Sequence, residues 1–218
     1  MWESFSYDGR IGRILNKIAD FFCLCLLWVS FSIPLLTIGA STAALYYTIN
    51  KVLRNDRGSV LQEFWRFFKD NFVQSTIVWV IVIVVYAIAA LSCYYAYVLY
   101  ISNVLPQFFL IGLAIITALL IAWTNYLFPY IARFNNTTKE VFKNSWAMTI
   151  MNIGHSFLIL VILIAALFVL LSTAIGIMIV PACVMLAYNF ILEPVFRKYT
   201  SAEDLAAEAE RNKSDENE

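Results

Sequence analysis

Ile33-Pro34-Leu35-Leu36-Thr37-Ile38-Gly39-Ala40-Ser41-Thr42-Ala43-Ala44-Leu45-Tyr46-Tyr47 sets a proline, a glycine and a cluster of hydroxyls inside otherwise apolar sequence. Pro34 withholds a backbone donor and Gly39 supplies the freedom that a tight reversal needs, so the stretch reads as a sharp break between two membrane-buried helical segments. In lipid the backbone groups released at such a break need partners, and Thr37, Ser41 and Thr42 can supply them. An N-cap at Ser41 or Thr42 is expected to start the second segment.

The surroundings of this break place it in a bilayer. Of 218 residues 61% are hydrophobic and 14% charged, far below the roughly one quarter charged of soluble domains. No Asp, Glu, Lys, Arg or His occurs from Phe21 to Asn50 or from Asn71 to Ala132, and only His155 falls between Asn144 and Leu192. A spanning helix needs about 20 apolar residues, so the second and third runs each hold two spans, while the first is long for one and short for two. The expected fold is all-α, a polytopic transmembrane helical bundle of about six membrane segments with two amphipathic helices at the inner interface.

Basic residues orient the threading. Arg10, Arg13 and Lys17 precede the break, and Lys51, Arg54 and Arg57 follow it. The positive-inside rule puts both clusters in the cytoplasm, so residues 42–54 either complete a short second span or belong to a re-entrant unit. The opening segment has the outline of a signal peptide, but its apolar run continues past any cleavage site and an uncleaved span is expected. Arg13, Asn16, Lys17 and Asp20 share one helix side just below the apolar stretch. They read as a solvated interfacial face or as a latch between helices, with Asp20 the deepest of the set.

Asn55-Asp56-Arg57-Gly58 is turn chemistry, and Ser59 with Gln62 has capping-box spacing. In the helix that follows, Arg66 and Lys69 face water while Val60, Phe64, Phe67 and Phe68 form an apolar face expected to lie along the inner leaflet. Thr137 with Glu140 repeats the box and opens a second amphipathic helix, with Val141, Phe142, Ser145, Trp146 and Met148 inward. An Asn-x-x-x-Ser element then recurs before a span, at Asn71 to Ser75 and at Asn152 to Ser156. Aligning the boxes and aligning the asparagines gives registers three residues apart.

Ser75 to Tyr100 ends in tyrosines suited to an aromatic belt, and the return from Phe108 to Tyr130 carries Thr124-Asn125, the most polar spot in any span. Asn125 is expected to bond a neighbouring helix, with Arg133 marking the inner boundary. The last two passes meet at Ser172 to Gly176. Pro181 is expected to kink the final one, Glu193-Pro194 to end the membrane region, and Arg197-Lys198 to leave the C-terminus inside. Residues 1–200 form one transmembrane domain. The last 18 residues carry 7 acidic and 2 basic groups against 8 and 13 in the rest, and residues 201–218 read as an acidic, disordered cytoplasmic tail.

Ile33 to Tyr47 with its Pro-x-x-Thr-Ile-Gly-Ala core, Leu15 to Asp20, Phe64 to Phe72, and Phe128-Pro129 to Arg133-Phe134 together resemble the YesL family of bacterial integral membrane proteins. The resemblance runs from about residue 11 to 197. That family has no established activity and no catalytic residues to carry over. Its members occur mainly in Gram-positive bacteria, often encoded beside sugar-uptake transporters and polysaccharide-degrading enzymes, so the resemblance implies an accessory part in carbohydrate import.

An enzyme is not expected, because no nucleophile-base pair, metal set or phosphate-binding glycine loop is present. Cys23, Cys25, Cys93 and Cys183 sit in apolar runs without ligand spacing, so neither a metal nor another cofactor is expected. His155 reads as a bonded interfacial residue rather than a proton switch. The favoured function is a non-enzymatic accessory or assembly component of a sugar ABC transporter in the cell membrane, with both termini cytoplasmic. Its partners would be the bilayer and the transporter subunits, with no nucleic acid, and a homo-oligomer is compatible. The alternative is a small ion-coupled carrier of a sugar or related solute. The residues expected to be sensitive are Pro34, Thr37, Gly39 and Ser41 for bend geometry, and Asn16, Asp20, Asn125 and Arg133 for interhelical bonding.

Overall fold

The computed structural model describes residues 10–173 and 176–200, and within them every regular element is helical. The acidic tail of 201–218 and part of the bend between the last two passes lie outside the described residues. Helix α1 spans Arg10–Ser32, a 3-10 turn Leu35–Thr37, α2 Ile38–Thr48 and a π-helical turn Ile49–Arg54. Then follow α3 Val60–Asp70, α4 Phe72–Ile101, α5 Gln107–Arg133, α6 Thr138–Met151, α7 Ile153–Ser172 and α8 Gly176–Arg197. Five helices, α1, α4, α5, α7 and α8, are long and apolar enough to cross a membrane, and the chain is a multi-pass helical membrane bundle. The sixth expected segment is α2 with its π turn, which is too short to be counted with those five.

That short segment is the core. Helix α2 touches α1, α3, α4, α5 and α8, and Gly39, Ala40, Ser41, Ala43, Ala44, Leu45, Tyr46 and Thr48 are all buried. Small residues on several faces let large neighbours close on it, the same device that membrane helices use generally. The break lies where the proline and glycine place it, but two of its reasons differ from expectation. Helix α2 begins at Ile38, with Thr37 rather than Ser41 or Thr42 at the N-cap position. The Thr37 hydroxyl turns back to the carbonyls of Phe31 and Pro34, Thr42 accepts from Trp28 Nε1 at 3.2 Å, and Ser41 is packed inside. A hydroxyl that is spent on the preceding turn cannot also cap the next helix.

Gly39, likewise, is not at a positive φ. It sits in the helix, where an added Cβ would lie 2.6 Å from Trp79 Cβ, 2.8 Å from the Ser75 carbonyl oxygen and 2.9 Å from the Phe128 ring. The glycine is required for close approach of α2 to α4 and α5, not for the reversal itself. Trp79 also donates its indole N–H to the Leu35 carbonyl at 2.8 Å, so the turn is clamped seven residues into α4, which continues to Ile101. The reversal thus meets the long helices part-way along their length. At its other end the hairpin closes through Lys17, which pairs with Asp56 at 2.9 Å and donates to the Leu53 carbonyl. The basic clusters before and after the break therefore stand at the same end of the bundle.

Helix α3 is amphipathic, but its apolar face does not lie on lipid. Val60, Phe64 and Phe68 are buried, with the Phe31 ring 5.7 Å from Phe64 and 5.0 Å from Phe68, and Phe67 stacks on Tyr47 at 4.4 Å. The hairpin offers aromatic partners at those positions and outcompetes the leaflet for them. Arg66 and Lys69 stay outward. Ser59 holds the N-cap position without a side-chain bond, whereas the Thr137–Glu140 capping box is complete. In α6 Val141, Ser145 and Met148 are buried as expected, while Trp146 is exposed and meets the Trp123 ring edge-on.

The recurring Asn-x-x-x-Ser element has a structural basis, in the asparagine register. Asn71 ends α3 and opens α4, and Asn152 does the same between α6 and α7. Each side-chain amide donates to the carbonyl four residues back, Phe67 and Met148 respectively. The serines four residues on are both buried. Pro181 and Pro194 lie inside α8, which runs past Glu193-Pro194 to Arg197.

Candidate functional site

The π turn Ile49–Arg54 decides where the polar side chains at one end of the bundle go. A π segment holds an extra residue per turn and redirects the side chains on it. Asn50 Nδ2 then reaches Glu193 Oε1 on α8, and Asn55 Nδ2 donates back to the Asn50 carbonyl and side chain at 2.8 and 3.0 Å. Arg54 Nη1 bonds both the carbonyl and Oδ1 of Asn189, at 2.8 and 2.9 Å, and stacks over the Phe190 ring. Asn189 Nδ2 donates to the Tyr46 carbonyl at 3.3 Å. Arg133, from the end of α5, brings its Nε to 3.8 Å from Glu193 Oε2.

Glu193 is thereby a buried carboxylate, 5% exposed. A charge in that position persists only if it is paired and hydrogen-bonded, which Arg133 and Asn50 accomplish together. A second acid is handled in the same way: Glu63, also buried, takes Lys51 at 2.9 Å and Arg66 at 2.6 Å. Above these groups opens a cleft of about 750 Å³. Its cationic side chains are Lys51, Arg57 and Arg133, its amides come from Asn50, Asn55, Asn135 and Asn136, and Glu193 supplies the acid. Tyr46 closes the bottom. Its hydroxyl is buried without a hydrogen-bond partner, an arrangement that costs free energy unless a ligand or water completes it.

Of the residues expected to be sensitive, Arg133 lies in this cleft. Asn125 is deeper, where it donates to the Ile121 carbonyl and accepts from Tyr188 across the contact with α8. Beside it Tyr86 and Thr124 join α4 to α5 at 2.6 Å. Pro34, Thr37, Gly39 and Ser41 are grouped at the break, away from the cleft. Asn16 is exposed, and neither its side chain nor that of Asp20 makes a hydrogen bond or ion pair with another described residue. Their neighbour Lys17 makes the contact that was expected of them, because it is the longer side chain and Asp56 is within its reach. Phe64, Phe67 and Phe68 serve packing, and Arg66 joins the Glu63 pair.

Tyr46, Asn50 and Asn189 carry no site role in the sequence reading, and Arg54 and Glu193 enter it only as boundary charges. A signal was present: Tyr46, Asn50 and Arg54 are spaced by four, as are Asn189 and Glu193, at the inner margins of two apolar runs. Polar residues at helical spacing on the edge of a span share one face. Among the described residues no cluster of three metal-ligating side chains occurs.

Comparison with known proteins follows the same division of the chain. Residues 21–93 match the family described as "Protein of unknown function, DUF624". The matched segment carries the second half of α1, all of α2 and α3 and most of α4, and thus the Tyr46–Arg57 wall of the cleft, whereas Arg133, Asn189 and Glu193 lie beyond it. No curated protein and no solved structure matches the chain.

Proposed function

We propose that the protein is a non-enzymatic accessory component of carbohydrate uptake, working with an ABC transporter at the inner face of the cell membrane. The observation that carries this reading is the placement of the cleft. It opens at one end of the bundle and ends on Tyr46, beneath which Tyr126, Leu127, Tyr188 and Leu192 are fully packed. A recess closed by a core suits binding or docking better than passage of a solute. Beside it α3 holds Arg66, 3.2 Å from the hydroxyl of the lining residue Tyr47, and an exposed Lys69, cationic groups that a soluble or membrane partner can recognise. The link to sugar transport comes from the resemblance to the YesL family, and the basic residues near both ends place both termini in the cytoplasm by the positive-inside rule.

Co-purification from native membranes tests this. The expected result is recovery of sugar ABC transporter subunits with the intact protein and their loss when Arg66 and Lys69 are both changed to Glu. Recovery of the protein without them, under conditions that keep the transporter assembled, would overturn the proposal. The ion-coupled carrier is supported by one feature, the buried Glu193 in a membrane helix, since intramembrane acids often serve ion pathways. Uptake by proteoliposomes holding only this chain would favour it.

A further inference from the structure

We propose that the mouth of the cleft is covered by the chain's own acidic segment, residues 201–218, held there by charge. The inference does not depend on the carbohydrate reading. It starts from where the charges of the molecule lie. Residues 1–200 carry 13 basic and 8 acidic groups, and the segment after them 2 and 7, so a body with five surplus cations is joined to a segment with five surplus acids. Because the count covers the whole body, pairing among its own groups leaves the surplus unchanged. No Asp, Glu, Lys or Arg occurs at 21–50, 71–132 or 144–192, which confines the charges of the body to the stretches between. The structure gathers these stretches at the cleft end: Lys17 pairs with Asp56, Lys51 with Glu63 and Arg133 with Glu193, and Asn144, next to Lys143, bonds the Tyr130 hydroxyl at 2.8 Å. The positive surplus and the origin of the acidic segment are thus at the same end, where opposite charges attract.

The second observation is the path of the chain. Thr200 lines the cleft, and its N–H and hydroxyl both donate to the Phe196 carbonyl, at 3.1 and 3.0 Å. One residue earlier the Tyr199 hydroxyl accepts from Asn152 Nδ2 at 3.1 Å. The acidic segment therefore departs from a fixed point on the rim. Glu203 and Asp204 follow within four residues, a reach of about 10–14 Å for extended chain, so little loop-closure entropy opposes their return. The cleft offers them donors in Lys51 and in the side-chain amides of Asn55, Asn135 and Asn136, and a carboxylate accepts from both kinds. Tethering at Thr200 makes the encounter intramolecular, so contacts that are weak singly suffice.

The test follows amide exchange of residues 201–210 in the full-length chain, in phosphatidylcholine nanodiscs that present no anionic lipid. At low salt these amides should exchange about tenfold slower than an unstructured chain. In roughly 0.5 M salt the protection should vanish, because exposed charges are then screened. A helix formed by the segment alone would also slow exchange, so the second readout comes from the cleft. Asn135 is an exposed lining residue whose side chain bonds no other described residue. Asn135→Asp should speed exchange of 201–210 roughly threefold, and Asn135→Lys should slow it by a similar factor. Should one variant not fold, the direction of change in the other decides. Exchange at the unstructured rate in low salt, which would leave the cleft to a lipid headgroup or a separate partner, overturns the proposal. So does protection that survives the higher salt, or that the Asn135 variants leave unchanged or move in one direction.

Discussion

Two hollows among the described residues are made in opposite ways. The cleft at the Lys17–Asp56 end is lined by charges and amides and bounded by a network in which Asn50, Arg54, Asn189 and Glu193 bond one another's helices. At the other end a groove of about 600 Å³ runs between α7 and α8, lined by Ile162, Ala166, Val169 and Val180 among other small and apolar residues. There α4 and α7 carry large apolar side chains outward, with Leu91, Tyr95, Ile164 and Phe168 all exposed. Lipid tails are as apolar as these side chains, so the far end gains little from burying them in protein. Position is specified where polar groups must be satisfied, and the far half of the bundle is left to the bilayer to cover.

The contrast is sharpest at Glu193. Its replacement by Ala takes a buried carboxylate away from Arg133 and Asn50 and is expected to cost roughly 4 kcal/mol, seen as loss of monodisperse protein in detergent. Far-end truncation of Phe168 to Ala, on a lipid-facing side chain, should leave the elution profile intact. Equal damage from the two would remove the distinction between the ends. Next in size comes the glycine pair. Gly39→Val forces a side chain against Trp79 and the α4 backbone and is expected to cost about 3 kcal/mol. Gly112 has nothing within 4 Å of an added Cβ, so Gly112→Val should change the unfolding midpoint little. Similar midpoints for both would mean that α2 does not pack as closely as the structure places it.

The two regions also differ in how far they could be read from sequence. Composition and uncharged runs give the class, the break at Pro34 to Gly39 and the five long helices, because those depend on local pattern and bilayer thickness. The break's internal logic was not legible: whether Gly39 serves a turn or a close contact depends on Trp79 and Phe128, far away in sequence. The direction of the α3 apolar face was misread for a similar reason. An amphipathic pattern states that one face avoids water, and only the location of Phe31 and Tyr47 settles that it meets protein. The cleft was least legible, since Asn50 and Glu193 are 143 positions apart and each alone looks like an ordinary boundary residue.

A smaller effect is expected at the hairpin's closing pair. Lys17 and Asp56 are both well exposed, so Asp56→Asn should lower stability by no more than about 0.5 kcal/mol and the difference should fade in molar salt. A large, salt-independent loss would show that the same-end geometry hangs on this pair rather than on the buried groups around Glu193.

The smallest effect separates the two amphipathic helices by how each begins. Helix α3 starts at Ser59 without a side-chain cap, and its first turn is fastened instead by buried Val60 and Phe64. The first turn of α6 exposes Lys139 and Glu140 and depends on its cap, in which the Glu140 carboxylate accepts from the Thr137 N–H and hydroxyl at 2.9 Å each. These two bonds, the backbone one first, hold the Glu140 carboxyl below its ordinary range, and Lys143 adds to the effect. A pKa depressed on folding contributes stability above the unfolded value and loses it as pH falls through the folded one. Acidification through and below the usual glutamate range should therefore speed amide exchange at residues 138–141, after correction for intrinsic rates. Glu140→Gln, which preserves the box geometry without a titrating group, should abolish that pH dependence. Its persistence in the variant would assign the acid response of α6 to some other group and leave the cap without a measurable share in holding the helix.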